Sequence, residues 1–242
     1  MRYINTFLLI KDIISGKKPD AKEFLAGVNR EDVLSSIRKT KAGLPQPFKV
    51  TWEPVEEENF AKLPRSAKTN LMQILEKLPQ FAGEQLPALL ELKEKFPNVP
   101  LIHNYLGLAY AYTGQMEKHF QTISETAEKF PRYFFAKIAL AEYYLNRNEH
   151  QKVPGIFDNK FELYQHFPPN TPVFHISEAR AFYSIIGIYY ARANKLPRAL
   201  LCFFTLESID PDHAATQRLA DEIILKEIEK LMHKIKPKKT RR

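Results

Sequence analysis

The segment Tyr105–Gln115, YLGLAYAYTGQ, decides the fold. Its large apolar residues recur at helical spacing, yet Gly107 stands in the interior, where glycine costs about 1 kcal/mol relative to alanine. A helix keeps a residue without a Cβ where another backbone must come close. Gly107 therefore predicts a helix packed tightly against a neighbour.

Outward from this segment the sequence repeats. Pro97 in EKFPNVP and Pro131 in EKFPRYF are 34 residues apart, each after an acid-Lys-Phe tripeptide that closes a helical pattern. With this proline at position 32, residues 100–133 place Leu106, Gly107 and Tyr110 at positions 7, 8 and 11. Residues 134–167 place Leu140, Ala141 and Tyr144 there. Residues 180–213, ending on Pro211, place Ile186, Gly187 and Tyr190 there, with Tyr183 at position 4, Ala199 at 20 and Phe203 at 24.

These residues resemble the tetratricopeptide repeat (TPR) family, whose pattern is W-x2-L-G-x2-Y, then A-x3-F, then P. The resemblance implies an all-α chain: an α-solenoid, a right-handed superhelix of three to four TPR-like helical hairpins. Position 8 is then the small residue at a close helix crossing, and the terminal proline stops the second helix.

The match is uneven. The first unit carries His103, His119 and Ile123 at positions 4, 20 and 24. The middle unit ends on Pro168, three residues late, and its second helix is expected to begin at Pro154 and to kink near Gly155. The excess before the last unit, PNTPVFHIS, reads as a Pro-rich loop closing on Ser177 as a helix N-cap. Upstream, SAKTNLMQILEKL and GEQLPALLELKEKF read as a degenerate pair over 66–99. Downstream, AATQRLADEIILKEIEKLMHKI reads as the amphipathic C-terminal capping helix that a solenoid needs. Residues 1–65 are expected to form an N-terminal helical or irregular extension, 66–232 the repeat domain with its cap, and 233–242 a basic flexible tail. In the extension, FKVTWEP alternates Phe48, Val50 and Trp52 with polar residues, which indicates an extended segment. With no second strand visible, no sheet is expected.

Charge is concentrated at one end. The net charge is +8, and the tail residues Lys234, Lys236, Lys238, Lys239, Arg241 and Arg242 supply six of those charges. That run invites nucleic acid through phosphate neutralisation, but no aromatic residue interleaves it, so partner binding through the tail ranks behind a solvated terminus. The single cysteine, Cys202, excludes an internal disulfide and fits a reducing compartment. The opening MRYINTFLLIKDIIS is interrupted by Lys11 and Asp12, and no uninterrupted apolar run approaches the length of a membrane span. The sequence reading is thus a cytoplasmic chain without membrane insertion.

No catalytic constellation emerges. The seven histidines form no H-E-x-x-H motif, no cysteine cluster accompanies them, and eight glycines include no phosphate loop. Cys202 lies in the buried helical pattern RALLCFF, and Glu56–Glu58 reads as a helix start. No metal, no cofactor and no enzymatic activity are expected.

The TPR resemblance also implies a concave groove lined by the first helix of each pair. In the first unit these positions hold Leu101, Asn104, Tyr105, Leu108 and Tyr112. In the middle unit they hold Phe135, Ile138, Glu142 and Asn146, and in the last Ile188 and Arg192. The lining is mostly aromatic and aliphatic, and the Lys, Asn and Arg clamp of chaperone-binding relatives is missing. The expected partner is an apolar peptide or amphipathic helix of another protein, held by a scaffold, adaptor or chaperone-like module. Two alternatives stand beside it: an RNA- or ribosome-associated factor using the tail, and a groove filled by the chain's own N-terminal segment.

Overall fold

The computed structural model describes residues 48–53, 57–169 and 173–235, together with Ser35. Most of the N-terminal extension (residues 1–34, 36–47 and 54–56) and the tail residues Lys236, Lys238, Lys239, Arg241 and Arg242 lie outside the described residues, and of Lys234 only the backbone is described.

Helices dominate the described residues, as the apolar periodicity implies. α1 (Glu58–Ala61) is capped by Glu57, whose carboxylate accepts hydrogen bonds from the amides of Asn59 (3.1 Å) and Phe60 (3.2 Å). α2 (Arg65–Lys95) is broken at Phe81 (φ −127°, ψ 36°), two residues after Pro79. Both arms bury residues in one core shared with the next helix: Leu71, Ile74 and Leu78 from the first, Leu89 and Leu92 from the second. α3 (Pro100–Tyr112) starts with proline at its first position, where the missing N–H costs nothing. α4 (Met116–Lys129) returns against it, and α5 (Phe134–Asn146) follows.

Beyond α5 the expected second helix does not form. The chain makes a 3-10 turn (His150–Lys152), the four-residue α6 (Val153–Ile156) and a second 3-10 turn (Leu163–His166). Gly155 is a weak helix former, and Asp158 and Asn159 adopt φ of 54° and 57°, a left-handed conformation that ends a helix. The chain then enters α7 (Ile176–Arg192), α8 (Leu196–Ile209) and α9 (Ala214–Ile235). The N-cap expected at Ser177 is displaced. Ser177 lies within α7, whose start is tied by Glu178 accepting the His175 amide (2.8 Å) and by His175 Nδ1 accepting the Ser177 amide (3.3 Å).

The absence of a sheet is also overturned. β1 (Lys49–Thr51) pairs in parallel with β2 (Val173–His175), with Val50 opposite Phe174. β2 lies in the stretch read as a Pro-rich loop. Aromatic packing fixes the register: the Phe48 ring stacks on Tyr183 (5.5 Å) and meets Phe174 edge-on (5.6 Å).

The expected close approaches are present. A Cβ on Gly107 would lie 3.0 Å from Ile123 Cγ2 of α4. One on Gly187 would lie 3.0 Å from Cys202 Cβ of α8 and collide with Leu219 of α9. The three units also share a local geometry. Their first helices end on a left-handed residue at position 15: Gly114 (φ 73°), Asn148 (60°) and Asn194 (56°). The next amide then donates back to the position-11 tyrosine carbonyl, as Gln115 to Tyr110 (2.9 Å), Glu149 to Tyr144 (2.8 Å) and Lys195 to Tyr190 (2.8 Å). This is the Schellman closure, which satisfies a carbonyl at the helix end. A cation eight residues after each tyrosine covers its ring: Lys118 over Tyr110 (5.6 Å), Lys152 over Tyr144 (4.2 Å) and Arg198 over Tyr190 (5.5 Å).

The described residues fall into two compact units that divide within α7. The unit from Phe48 to Ile185 holds the core above and an aromatic cluster in which Phe157, Phe174 and Phe182 are fully buried. The unit from Ile186 onward packs Ile186, Ile188, Ala199, Leu206, Leu219 and Ile223. Within it Arg192 grips Glu222 with two hydrogen bonds, of 2.8 and 2.9 Å. No helix among the described residues is long and apolar enough to cross a membrane.

Candidate functional site

Inside the compact unit from Phe48 to Ile185, α1, α2, α3, the start of α5 and the β2–α7 junction surround a cavity of about 790 Å³. Phe60, Met72, Leu101, Tyr105, Tyr133 and Phe135 give it an apolar interior, and Glu57, Asn104, His175 and Ser177 supply the polar groups. The sequence places these side chains for identifiable reasons. Leu101, Asn104 and Tyr105 lie one helical turn apart on a single face of α3. Phe135 is the second residue of α5, which Phe134 opens after the cap residue Tyr133. Ser177 and His175 are fixed to each other, Ser177 Oγ lying 2.7 Å from His175 Nδ1.

Burial sets the electrostatics of the walls. It raises the Tyr105 phenol pKa. It raises that of Tyr133 further, with the neighbouring Tyr105 and Glu57 adding to the effect, so both phenols stay neutral at physiological pH. The Tyr133 hydroxyl is buried and has no hydrogen-bond partner among the described residues. The Glu178 carboxyl pKa is also raised by burial, an effect opposed by the hydrogen bond from the His175 amide. Such a lining offers apolar contact and a few hydrogen-bonding groups. No group of three or more His, Cys, Asp or Glu side chains suited to a metal occurs among the described residues.

Of the sequence-predicted groove residues, Leu101, Asn104, Tyr105 and Phe135 come together in this cavity. Tyr112 does not join them. It is 56% exposed and lines a separate hollow of about 340 Å³ beside the break at Phe81. Ile138 and Ile188 are buried and act as packing residues. Leu108 and Glu142 are half-buried, Asn146 is exposed, and the Arg192 guanidinium is engaged by Glu222 rather than presented alone. Sequence reasoning missed Phe60, Met72, Tyr133, His175 and Ser177. Tyr133, at the last position of the first unit, carried the one available signal: an aromatic residue directly before a helix.

Comparison of the chain with family models, with curated proteins and with solved structures returns no match. The functional reading therefore rests on the chemistry of the cavity.

Proposed function

We propose that the chain is a non-enzymatic interaction module, a short right-handed α-solenoid of TPR type. It holds an apolar peptide or one face of an amphipathic helix from a partner protein in the cavity walled by Leu101, Tyr105 and Phe135. The observation that supports this reading is the convergence of four groove residues, expected from the repeat register, on one apolar cavity of about 790 Å³. That volume accommodates two or three large side chains and lies within the range of ordinary binding pockets. Apolar burial at about 25 cal/mol per Å² supplies the affinity. Asn104, Ser177 and His175 offer hydrogen bonds to the peptide backbone.

A photo-crosslinking residue at Leu101 tests the reading. The expected adduct is one apolar segment of one partner, lost in the Tyr105→Ala/Phe135→Ala variant while helicity by circular dichroism is kept. A crosslinker at exposed Leu201 serves as the control. Adducts at Leu101 that are indifferent to the double substitution refute the assignment.

A second reading, self-occupation by the N-terminal segment, is favoured by a specific contact. Phe48 stacks on Tyr183, a first-helix residue of the last repeat, and the strand that follows Phe48 joins β2 next to the cavity wall. Trp52 remains 61% exposed, with Arg180 over its ring at 5.5 Å. If this segment competes with a partner, Phe48→Ala increases crosslinking at Leu101. If it only completes the wall, the same change decreases it.

A further inference from the structure

A second cavity, of about 520 Å³, lies where the middle unit lacks its second helix. Its charged lining is one-sided. Among the described lining residues, Arg132, Lys137 and Lys160 are cationic and Asp158 is the single carboxylate, already held by Lys137 at 2.9 Å. The excess positive charge belongs to Arg132 and Lys160, which stand exposed at the opening. His166 and Gln165 add hydrogen-bonding groups, and Phe134 and Phe167, with ring centroids 5.2 Å apart, form an aromatic wall.

We propose that this cavity binds a phosphate monoester: its oxygens meet Arg132, Lys137 and Lys160, and its organic group lies against Phe134 and Phe167. Arginine presents a planar fork suited to phosphate oxygens, and lysines add point charges. Three cations converging on one dianion act together, and the aromatic wall adds contact to the organic group. The site is distinct from the apolar cavity and goes beyond the proposed function.

His166 supplies an internal reporter. Its ring is wedged among Phe134, Phe157 and Phe182, and its Nε2 donates to the Lys160 carbonyl at 3.1 Å. Burial lowers its pKa, Lys137 and Lys160 lower it further, and the Lys160 carbonyl and Asp158 oppose them. A bound dianion adds negative charge beside these groups and favours the imidazolium, so ligand raises the His166 titration midpoint.

The test titrates the full chain with three probes: inorganic phosphate, phenyl phosphate and a phosphoserine peptide. Phenol and the unphosphorylated peptide serve as neutral controls. Binding is measured by calorimetry, and the His166 midpoint by NMR. At least one organic phosphate is expected to bind more tightly than inorganic phosphate and to raise the His166 midpoint. Its affinity should fall at least tenfold in Arg132→Ala/Lys160→Ala but stay unchanged in Lys77→Ala on α2. Preference for phenyl phosphate assigns a small-molecule ligand, and preference for the peptide assigns a phosphorylated partner. Lys160→Glu alone provides a second variant should the double substitution alter the melting curve. Inorganic phosphate binding as well as the esters, equal binding of the neutral controls, or affinity indifferent to Lys160→Glu overturns the proposal.

Discussion

The pair α3–α4 and the stretch from α5 to Pro168 start from the same 34-residue rhythm and diverge halfway. Both first helices end in the same left-handed closure, at Gly114 and at Asn148, and both set a lysine over the position-11 tyrosine. After that, MEKHFQTISETAEK continues as a full helix, whereas HQKVPGIFDNK breaks into turns. Two glycines mark the same division. Gly107 on α3 is pressed by Ile123 of α4, while a Cβ on Gly155 in the turns would meet no atom of the described residues within 4 Å. A repeat thus keeps its first helix and its closing turn even when its second helix is lost, and the loss leaves a basic cavity where a helix would have packed.

Substitutions can break or sharpen this contrast. The largest effect is expected from Gly107→Val, because Ile123 Cγ2 lies 3.0 Å from the first added carbon and the branched side chain needs more room still. Overpacking of this kind costs about 1–3 kcal/mol, read as a lower denaturant midpoint. A wild-type midpoint in this variant would refute tight α3–α4 packing.

Next comes an acid effect tied to α3. His103 is buried, its Nε2 lies 2.9 Å from the Pro97 carbonyl oxygen, and burial lowers its pKa. The unfolded chain takes up this proton near the ordinary value of about 6.5, whereas the folded chain resists it to lower pH. Between those values the unfolded state binds more protons, so stability is full above the unfolded pKa and declines as pH falls below it. The thermal midpoint should drop on acidification from neutrality, and His103→Gln should flatten that slope. An unchanged slope contradicts the account.

In the open region the sign reverses. Gly155→Ala meets no atom of the described residues within 4 Å, so lower unfolded-state entropy and better helix propensity should stabilise the protein by about 0.5–1 kcal/mol. Destabilisation would mean that this stretch is packed after all. The smallest change is expected from Tyr133→Phe, which deletes a buried hydroxyl without a partner among the described residues and should leave stability equal or slightly raised. A loss above about 1 kcal/mol would reveal a hydrogen bond at that oxygen.

The sequence made the helical pairs legible because their signals are local and periodic. Gly107 and Gly187 announced close crossings, and both meet neighbouring helices. The strand pair was hidden because β2 spans only Val173–His175 inside a proline-rich stretch, and its parallel partner lies far away in sequence, at Lys49–Thr51. Pro154 and Gly155 signalled trouble in the middle unit. The break itself depends on Asp158 and Asn159 turning left-handed, a choice that tertiary context makes. Four walls of the apolar cavity followed from the repeat register, while Phe60 and His175 came from segments that the register does not number and Met72 from the degenerate pair, whose groove positions were not assigned. The basic cavity left no motif, because Arg132, Lys137, Lys160 and His166 are scattered and only the turns gather them. The regular offset of eight from Tyr110, Tyr144 and Tyr190 to a cation was visible in the sequence, and its meaning emerges only once those rings are seen covered.

The four residues that lead into α5 line two chambers in alternation. Arg132 and Phe134 wall the basic one, Tyr133 and Phe135 the apolar one. These alternating side chains hang from one continuous backbone, so a main-chain rotation at Tyr133 or Phe134 is felt in both chambers at once. A substitution that shifts this backbone reshapes both cavities together.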